Sequence, residues 1–246
     1  FGDSSTLDTS ATSVAHTYTT AGNYPVTVTV TDASGATSTK SGVVHVVTTI
    51  ASLTWKGDGV NNVWDTGTLN WLNGATPAAY AEPDSVTFDD TGSAAPAVSL
   101  NFLAQSTSVT FNNSAKNYTI AGTGGIDGNA SVTLNGSGTV TLLTANPTTG
   151  PLAINSGSLQ VGNGTTSGSI DQVSAITDYG ALAFNQADNH TLTAPISGYG
   201  SLTKAGGGTL TLTANNSGFS GPVTNRNGTL AVASDSSLGG GPLTLN

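Results

Sequence analysis

From Ser131 to Val161 apolar and hydroxyl side chains alternate. Val132, Leu134, Val140, Leu142, Leu152, Ile154, Leu159 and Val161 are separated by Thr, Ala, Ser or Gln, and the runs are broken by Gly, Asn and Ser. A period of two over three to five residues is the signature of a half-buried strand. The pattern returns from Ser201 to Val232. One extra residue near Leu143 and two fewer in the following Asn/Gly turn bring the copies into register. Val132 then matches Leu202, Val140 matches Leu210, Leu142 matches Leu212, Leu159 matches Leu230 and Val161 matches Val232. "GALAF", "HTLTAP" and "GSLTK" lie between the copies, and "GPLTLN" follows them. No such short strand buries its apolar face alone, but stacked coils cover one another. The pattern predicts a parallel β-solenoid with about 20–25 residues per coil, hence roughly five or six coils over 122–246. An antiparallel sandwich or barrel also alternates, but its strands run longer and need no long-range copy. Leu210, Leu212, Leu230 and Val232 should face inward, Thr209, Thr211 and Thr213 outward, and "ANNSGFSG" and "NRNG" should form corners.

Upstream the texture differs. "YPVTVTVTDASGATSTKSGVVHV" puts Val26, Val28 and Val30 on one face and Thr27, Thr29 and Thr31 on the other. "DASG" reads as the turn and "SGVVHV" as the returning strand of a hairpin. "VTTIAS" reads as a connector. Residues 53–121 hold Trp55, Trp64 and Trp71 and short apolar pairs such as Val86 with Phe88 and Val109 with Phe111. No helical period appears. "PAAYAEP" is the best helix candidate, but it is short and bounded by prolines. The all-β organisation expected is a partial sandwich module over 1–48, a Trp-containing segment that opens and caps the solenoid over 49–121, and repeats over 122–246.

Composition narrows the function. Only 8% of the 246 residues are charged, against about 25% in ordinary globular proteins. Thr, Ser and Asn must therefore cover the surface. The net charge of −9 argues against nucleic acid, whose phosphates need clustered Lys and Arg. With no Cys and no Met, disulfides and thiolate metal sites are excluded. No apolar run reaches the 18 or so residues of a membrane span. "FGDSSTLDTS" carries no signal peptide and reads as the interior of a longer chain.

Few residues offer chemistry. His16, His45 and His190 are far apart and have no companion motif, and a catalytic His needs an orienting partner. Serines are abundant, without a G-x-S-x-G motif. A β-helix lyase would want basic residues, yet only Lys204 and Arg226 follow residue 121. A hydrolase would want paired carboxylates, whereas Asp127, Asp171, Asp178, Asp188 and Asp235 are dispersed and read as turn residues. Asp58, Asp65, Asp84, Asp89 and Asp90 crowd the tryptophan zone. Of these, Asp58, Asp65, Asp89 and Asp90 are the candidate Ca²⁺ ligands, with Asx-turns as the competing reading. Trp55, Trp64 and Trp71 suit either a sugar-stacking platform or a hydrophobic plug over an open solenoid end. Strand spacing favours the plug, placing Leu53 with Trp55 and Leu69 with Trp71. Lys204 aligns with the inward Leu134, so either its strand ends at Thr203 or it snorkels past the rim.

Two resemblances follow from these residues. "FGDSS", "HTYTTAGNYPVTVTVTDASGATST" and "VVHV" resemble the C-terminal half of a PKD-type immunoglobulin-like domain. "GSLTKAGGGTLTLTANNSGFSGPVTNRNGTLAV", with "WKGDGVNNVWDTGTLNWLNG" and "DSVTFDDTG" upstream, resembles the autotransporter-associated β-strand repeats of large bacterial surface and secreted proteins. The second resemblance implies a right-handed parallel β-helix over about 53–246. Its pattern is structural and carries no catalytic residues, so no enzymatic activity is expected. The function implied is a rigid extracellular or cell-surface module that associates with itself or with other surface proteins. Strand complementation between unfinished ends would extend it head-to-tail into a filament. The alternative is a carbohydrate-binding accessory region of a polysaccharide-active enzyme, using the three tryptophans. Apart from Ca²⁺, no cofactor is expected.

Overall fold

A computed structural model of the protein describes every residue except 19, 47 and 48. The chain divides into two compact units, Phe1–Ile50 and Ala51–Asn246. The connector expected over 47–52 begins outside the described residues.

In the first unit, strands Gly22–Thr31 and Thr37–Val46 pair antiparallel, with Thr31 opposite Thr37. The turn is "DASG", closed by the Gly35 amide donating to the Asp32 carbonyl at 3.0 Å. Asp32 also accepts from the Ser34 and Ala36 amides. These bonds hold its carboxyl below the usual range, the Ser34 hydroxyl contributing most. Val28 and Val30 share one face, as the alternation predicts, but both are exposed.

The second unit is a β-solenoid. Its first face stacks Ser52–Trp55, Ser85–Phe88, Ser108–Phe111, Ser131–Leu134, Leu152–Ile154, Ile176–Asp178 and Ile196–Gly198 in parallel. The second face is a nine-stranded sheet running from Val63–Trp64 to Leu243–Leu245. A third face is built from shorter pieces, including His190–Leu192, Thr209–Leu212 and Thr229–Val232. A coil takes 19 residues from Val140 to its partner Leu159 and 24 from Leu152 to Ile176. The parallel ladder already joins Ser52–Trp55 to Ser85–Phe88, so coils also occupy much of the segment upstream of residue 122. The described residues contain no α-helix; Asp235–Ser237 is a single 3₁₀ turn.

Alternation fixes the core. Inward residues stack on their equivalents one coil away: Val86, Val109, Val132, Leu152, Ile176 and Ile196 form one column, and all are buried. Burying a Val, Leu or Ile side chain contributes about 1.5–3 kcal/mol, and here the covering surface is the next coil.

The two sequence copies occupy different pairs of faces. Ser131–Leu134 and Thr139–Leu142 lie on the first and second faces, whereas Ser201–Lys204 and Thr209–Leu212 lie on the second and third. What repeats is a strand–corner–strand unit. Gly157 (φ +70°) sits against the carbonyls of Gly136 and Gly138, and Gly228 (φ +71°) sits in the same way against Gly206 and Gly208. Leu210 and Leu212 are buried as expected. Leu230 and Val232 pair in register with Leu210 and Leu212 and so share their inward side, but Leu230 is only partly buried and Val232 is 39% exposed. Their counterparts Leu159 and Val161 are covered by Leu182 and Phe184, whereas no described strand follows Thr229–Val232 in its sheet.

At the other end the first face turns antiparallel. Trp71–Asn73 pairs with Ser52–Trp55, and Thr76–Ala78 pairs outside it with Pro77 opposite Leu72. Proline has no amide to donate, so it blunts a sheet edge.

Gly157→Ala should lower the unfolding free energy by about 1–3 kcal/mol, since a Cβ there meets both backbone crowding and a positive φ. A urea midpoint equal to that of the unsubstituted protein would count against this corner geometry.

Candidate functional sites

Trp55, Trp64 and Trp71 are fully buried. Trp71 meets Trp55 edge-on at 4.9 Å and Trp64 at 5.3 Å between ring centroids. Phe88 lies 5.4 Å from Trp71 and stacks on Phe111 at 5.0 Å. The cluster thus continues into the coil core. Trp55 donates Nε1–H to the Ser93 carbonyl at 2.8 Å, while Nε1 of Trp64 and of Trp71 has no partner. No indole face is open to solvent, so these three residues present no sugar-stacking platform. Leu69 does not join Trp71 inside: it is 57% exposed. The strand begins only at Trp71, and Asn70 takes the interior position, donating from Nδ2 to the Val63 carbonyl at 2.9 Å. A groove of about 460 Å³ lies beside this end, lined by Val63, Trp64, Asp65, Thr66, Asn101 and Phe102. Two of its three polar side chains are already engaged. Asp65 accepts from Gly67 and Thr68, and Asn101 accepts from Thr123.

The aspartates of this zone work on the backbone. Asp58 accepts from the amides of Val60, Asn61 and Asn62, and these bonds, Asn62 first, hold its carboxyl below the usual range. Burial pushes Asp65 up, but the Thr68 amide and hydroxyl outweigh it and the net shift is downward. Burial opposes ionisation of Asp90 too, and is outweighed by the amides of Ser114, Lys116 and Ala115 one coil on. Asp89 accepts from the Thr91 amide and hydroxyl. Asp84 accepts from the amides of Ala51 and Ala81. Among the described residues, no group of three or more His, Asp or Glu converges as a metal would require. Of the four Ca²⁺ candidates only Asp89 and Asp90 are neighbours in sequence, and each of the four accepts backbone amide bonds.

The histidines do have companions. His16 Nε2 lies 2.8 Å from Asp3, and His45 Nδ1 lies 2.7 Å from Asn23 Oδ1. His190, which showed no partner in sequence, bridges two carboxylates: Nδ1 is 2.7 Å from Asp171 and Nε2 is 3.0 Å from Asp188. Folding brings these dispersed aspartates to it. Burial works against the imidazolium, but the two carboxylates outweigh it and raise the His190 pKa. Ser167 donates to Asp188, so its hydroxyl faces a carboxylate and not the imidazole. The cluster clamps charge and sets up no nucleophile–base pair.

Two ionisable groups are buried where the sequence placed them in a turn or at the rim. Asp178 is no turn residue. It ends strand Ile176–Asp178, fully buried in register with Ile154 and Gly198. Oδ1 accepts from the Gly180 amide while Oδ2 has no partner. Burial pushes its pKa up to about 6. Lys204 neither lies beyond its strand nor snorkels out. It belongs to Ser201–Lys204 and is 1% exposed. Its Nζ donates to the carbonyls of Gly206 and Asn227 at the corner, and desolvation lowers its pKa. Buried asparagines were also missed. Oδ1 of Asn146 accepts from the Ile126 amide, and Nδ2 donates to the Ser169 carbonyl. Asn216 repeats this with Ile196 and Ser237. Each amide side chain thus ties three coils together. What the two share in sequence is position, each lying four residues after the matched Leu142 or Leu212.

Comparison with known proteins agrees with this geometry. Residues 1–47 match the PKD domain family, and residues 132–161 and 202–232 match the passenger-associated-transport-repeat family. The chain carries a PKD domain followed by passenger-associated-transport repeats. It is 37% identical over 118 residues to the adhesin BmaC autotransporter of Brucella suis biovar 1 (strain 1330). That alignment covers 47% of this chain and 3% of the adhesin. No solved structure matches the chain.

Asp178 and His190 give stability a definite pH dependence. Because the folded pKa of Asp178 is raised to about 6, the fold prefers the protonated acid. Its contribution falls as pH rises from about 4 to about 6, by about 3 kcal/mol. The stabilisation from His190 is complete below its unfolded pKa of about 6.5 and is lost as pH rises through the raised folded value. Urea unfolding at a series of pH values should show that Asp178→Asn removes the decline between pH 4 and 6. A variant curve parallel to that of the unsubstituted protein would contradict the assignment.

Proposed function

We propose that this chain is a non-catalytic structural module of a large secreted or cell-surface bacterial protein, an adhesin-like rod. The observation that carries this reading is the continuous, self-covering coil core, whose turn residues are spent on backbone bonds, in a chain related to an autotransporter adhesin. At a strand spacing of about 4.8 Å, the nine strands of the second face extend the solenoid about 40 Å along its axis. Each added coil lengthens such a rod without changing the surface chemistry. The hydroxyl- and amide-covered exterior, with little charge, suits prolonged exposure to solvent outside the cell.

Filament formation by strand exchange is not part of this proposal. An augmenting strand needs an open edge, and at one edge of the first face the outermost strand, Thr76–Ala78, carries Pro77 and is blunted. The tryptophan-based carbohydrate reading is likewise set aside, because all three indoles are interior.

Antibodies raised against residues 51–246 should label intact producing cells, and deleting that segment in frame should reduce attachment of those cells to a surface. Labelling only after the cells are broken open would contradict the proposal.

A further inference from the structure

One exposed corner of the solenoid carries a column unlike the rest of its surface. Asn112, Asn135, Asn155 and Tyr179 each follow a first-face strand and donate the backbone amide to the preceding coil, at 2.7 to 2.8 Å, on Phe88, Phe111, Leu134 and Ile154. Tyr199 continues the column, because its neighbour Gly198 pairs with Asp178. All five side chains are exposed. The amides form a ladder: Asn155 Nδ2 donates to Asn135 Oδ1 at 2.8 Å, and Asn135 Nδ2 donates to Asn112 Oδ1 at 3.1 Å. The ladder hands over to the tyrosines, whose rings lie 4.8 Å apart at 36°. Tyr179 is 43% exposed and Tyr199 68%, the two exposed large aromatic side chains among the described residues. Beside the column runs the outward row Thr110, Thr133, Ala153, Thr177 and Ser197. Over these five coils neither line contains a carboxylate or a basic side chain; the column position one coil upstream, after Phe88, is Asp89.

We propose that this column binds an extended neutral polysaccharide laid along the solenoid axis, through Tyr179 and Tyr199 as stacking faces and Asn112, Asn135 and Asn155 as hydrogen-bonding groups. The proposal rests on the reading of the solenoid as a surface-displayed rod and names what that rod holds. An aromatic face offers apolar contact to the C–H face of a pyranose, with little rotamer entropy to lose. Each ladder amide spends only part of its capacity on its neighbours, leaving an N–H or a lone pair for a sugar hydroxyl. The column spans four coil steps, about 19 Å, with one contact group every ~4.8 Å. A regular polymer can match that period. Charge selects the class: the site has none, and the chain's net −9 repels polyanions. A protein partner would call for a broader apolar patch than two rings supply.

Affinity electrophoresis of the whole chain in native gels tests this, with hydroxyethylcellulose, xyloglucan or galactomannan as neutral probes and alginate as the anionic control. The expected result is retardation by at least one neutral probe and none by alginate. The double variant Tyr179→Ala/Tyr199→Ala should weaken that retardation about tenfold, equivalent to about 1.4 kcal/mol over the two rings. Tyr→Phe at both positions should largely keep it. Both residues are exposed, so the circular-dichroism melt of each variant should equal that of the parent; Tyr179→Ser/Tyr199→Ser replaces any that melts early. Absence of retardation by all three neutral probes overturns the proposal. So does retardation that the tyrosine substitutions leave unchanged, or a tyrosine-dependent dimer in sedimentation without glycan. Failure here leaves cell-surface labelling intact, whereas failure of the rod reading appears as unlabelled cells.

Discussion

The solenoid depends on parallel, in-register pairing between coils. Each coil supplies the hydrogen-bond partners of the next, and because the register is kept, like side chains stack on like. Val109 sits between Val86 and Val132, and Thr110 between Thr87 and Thr133. No coil has a core of its own. Stability is therefore close to a sum of nearest-neighbour terms, as in other repeat proteins, and a coil lacking a neighbour loses the cover of its apolar residues. The exposure of Val232 is one consequence, and the tryptophan cluster at the opposite end is another. There the interior is filled by Trp55, Trp64, Trp71 and Tyr80, large rings that close a volume no further parallel coil fills.

Departures from this rule sit where the side-chain columns reach corners. The first-face column Phe88, Phe111, Leu134, Ile154, Asp178, Gly198 passes from aromatic to aliphatic to acidic to no side chain. On the second face Phe184 gives way to Lys204 and then Asn225. Lys204 finds backbone carbonyls; Asp178 finds one amide and leaves an oxygen unpaired. Buried polar groups need partners, and the corners, where the ladder is interrupted, are where free carbonyls and amides occur. Asn146 and Asn216 use the same opportunity fully, replacing ladder bonds with side-chain bonds.

The all-β class, the solenoid and the inward positions of Leu210 and Leu212 were legible because alternation has a fixed period and the copy recurs. The face each copy occupies was not: register between coils is set by corner lengths, and the alignment of Val132 with Leu202 is silent on which side of the coil either lies. Leu69 was misplaced because strand spacing was assumed to continue two residues before Trp71, where the strand has not begun and Asn70 is the buried residue. The partnership of His190 with Asp171 and Asp188 was invisible for a different reason. Asp171 and His190 are nearly one coil apart in sequence, so their contact exists only after stacking. The Tyr179–Tyr199 column was missed likewise, since neither residue belongs to an alternating run.

Spin-label distances test the stacking most directly, because the chain has no cysteine and introduced thiols are unique. Thr110 and Ser197 face outward in one row, joined through Thr133, Ala153 and Thr177. In-register stacking places them four coil steps apart, about 19 Å. Double electron–electron resonance on the Thr110→Cys/Ser197→Cys protein should give a single narrow distribution near 20 Å. A broad distribution, or a mean beyond about 30 Å, would contradict the parallel coil stack.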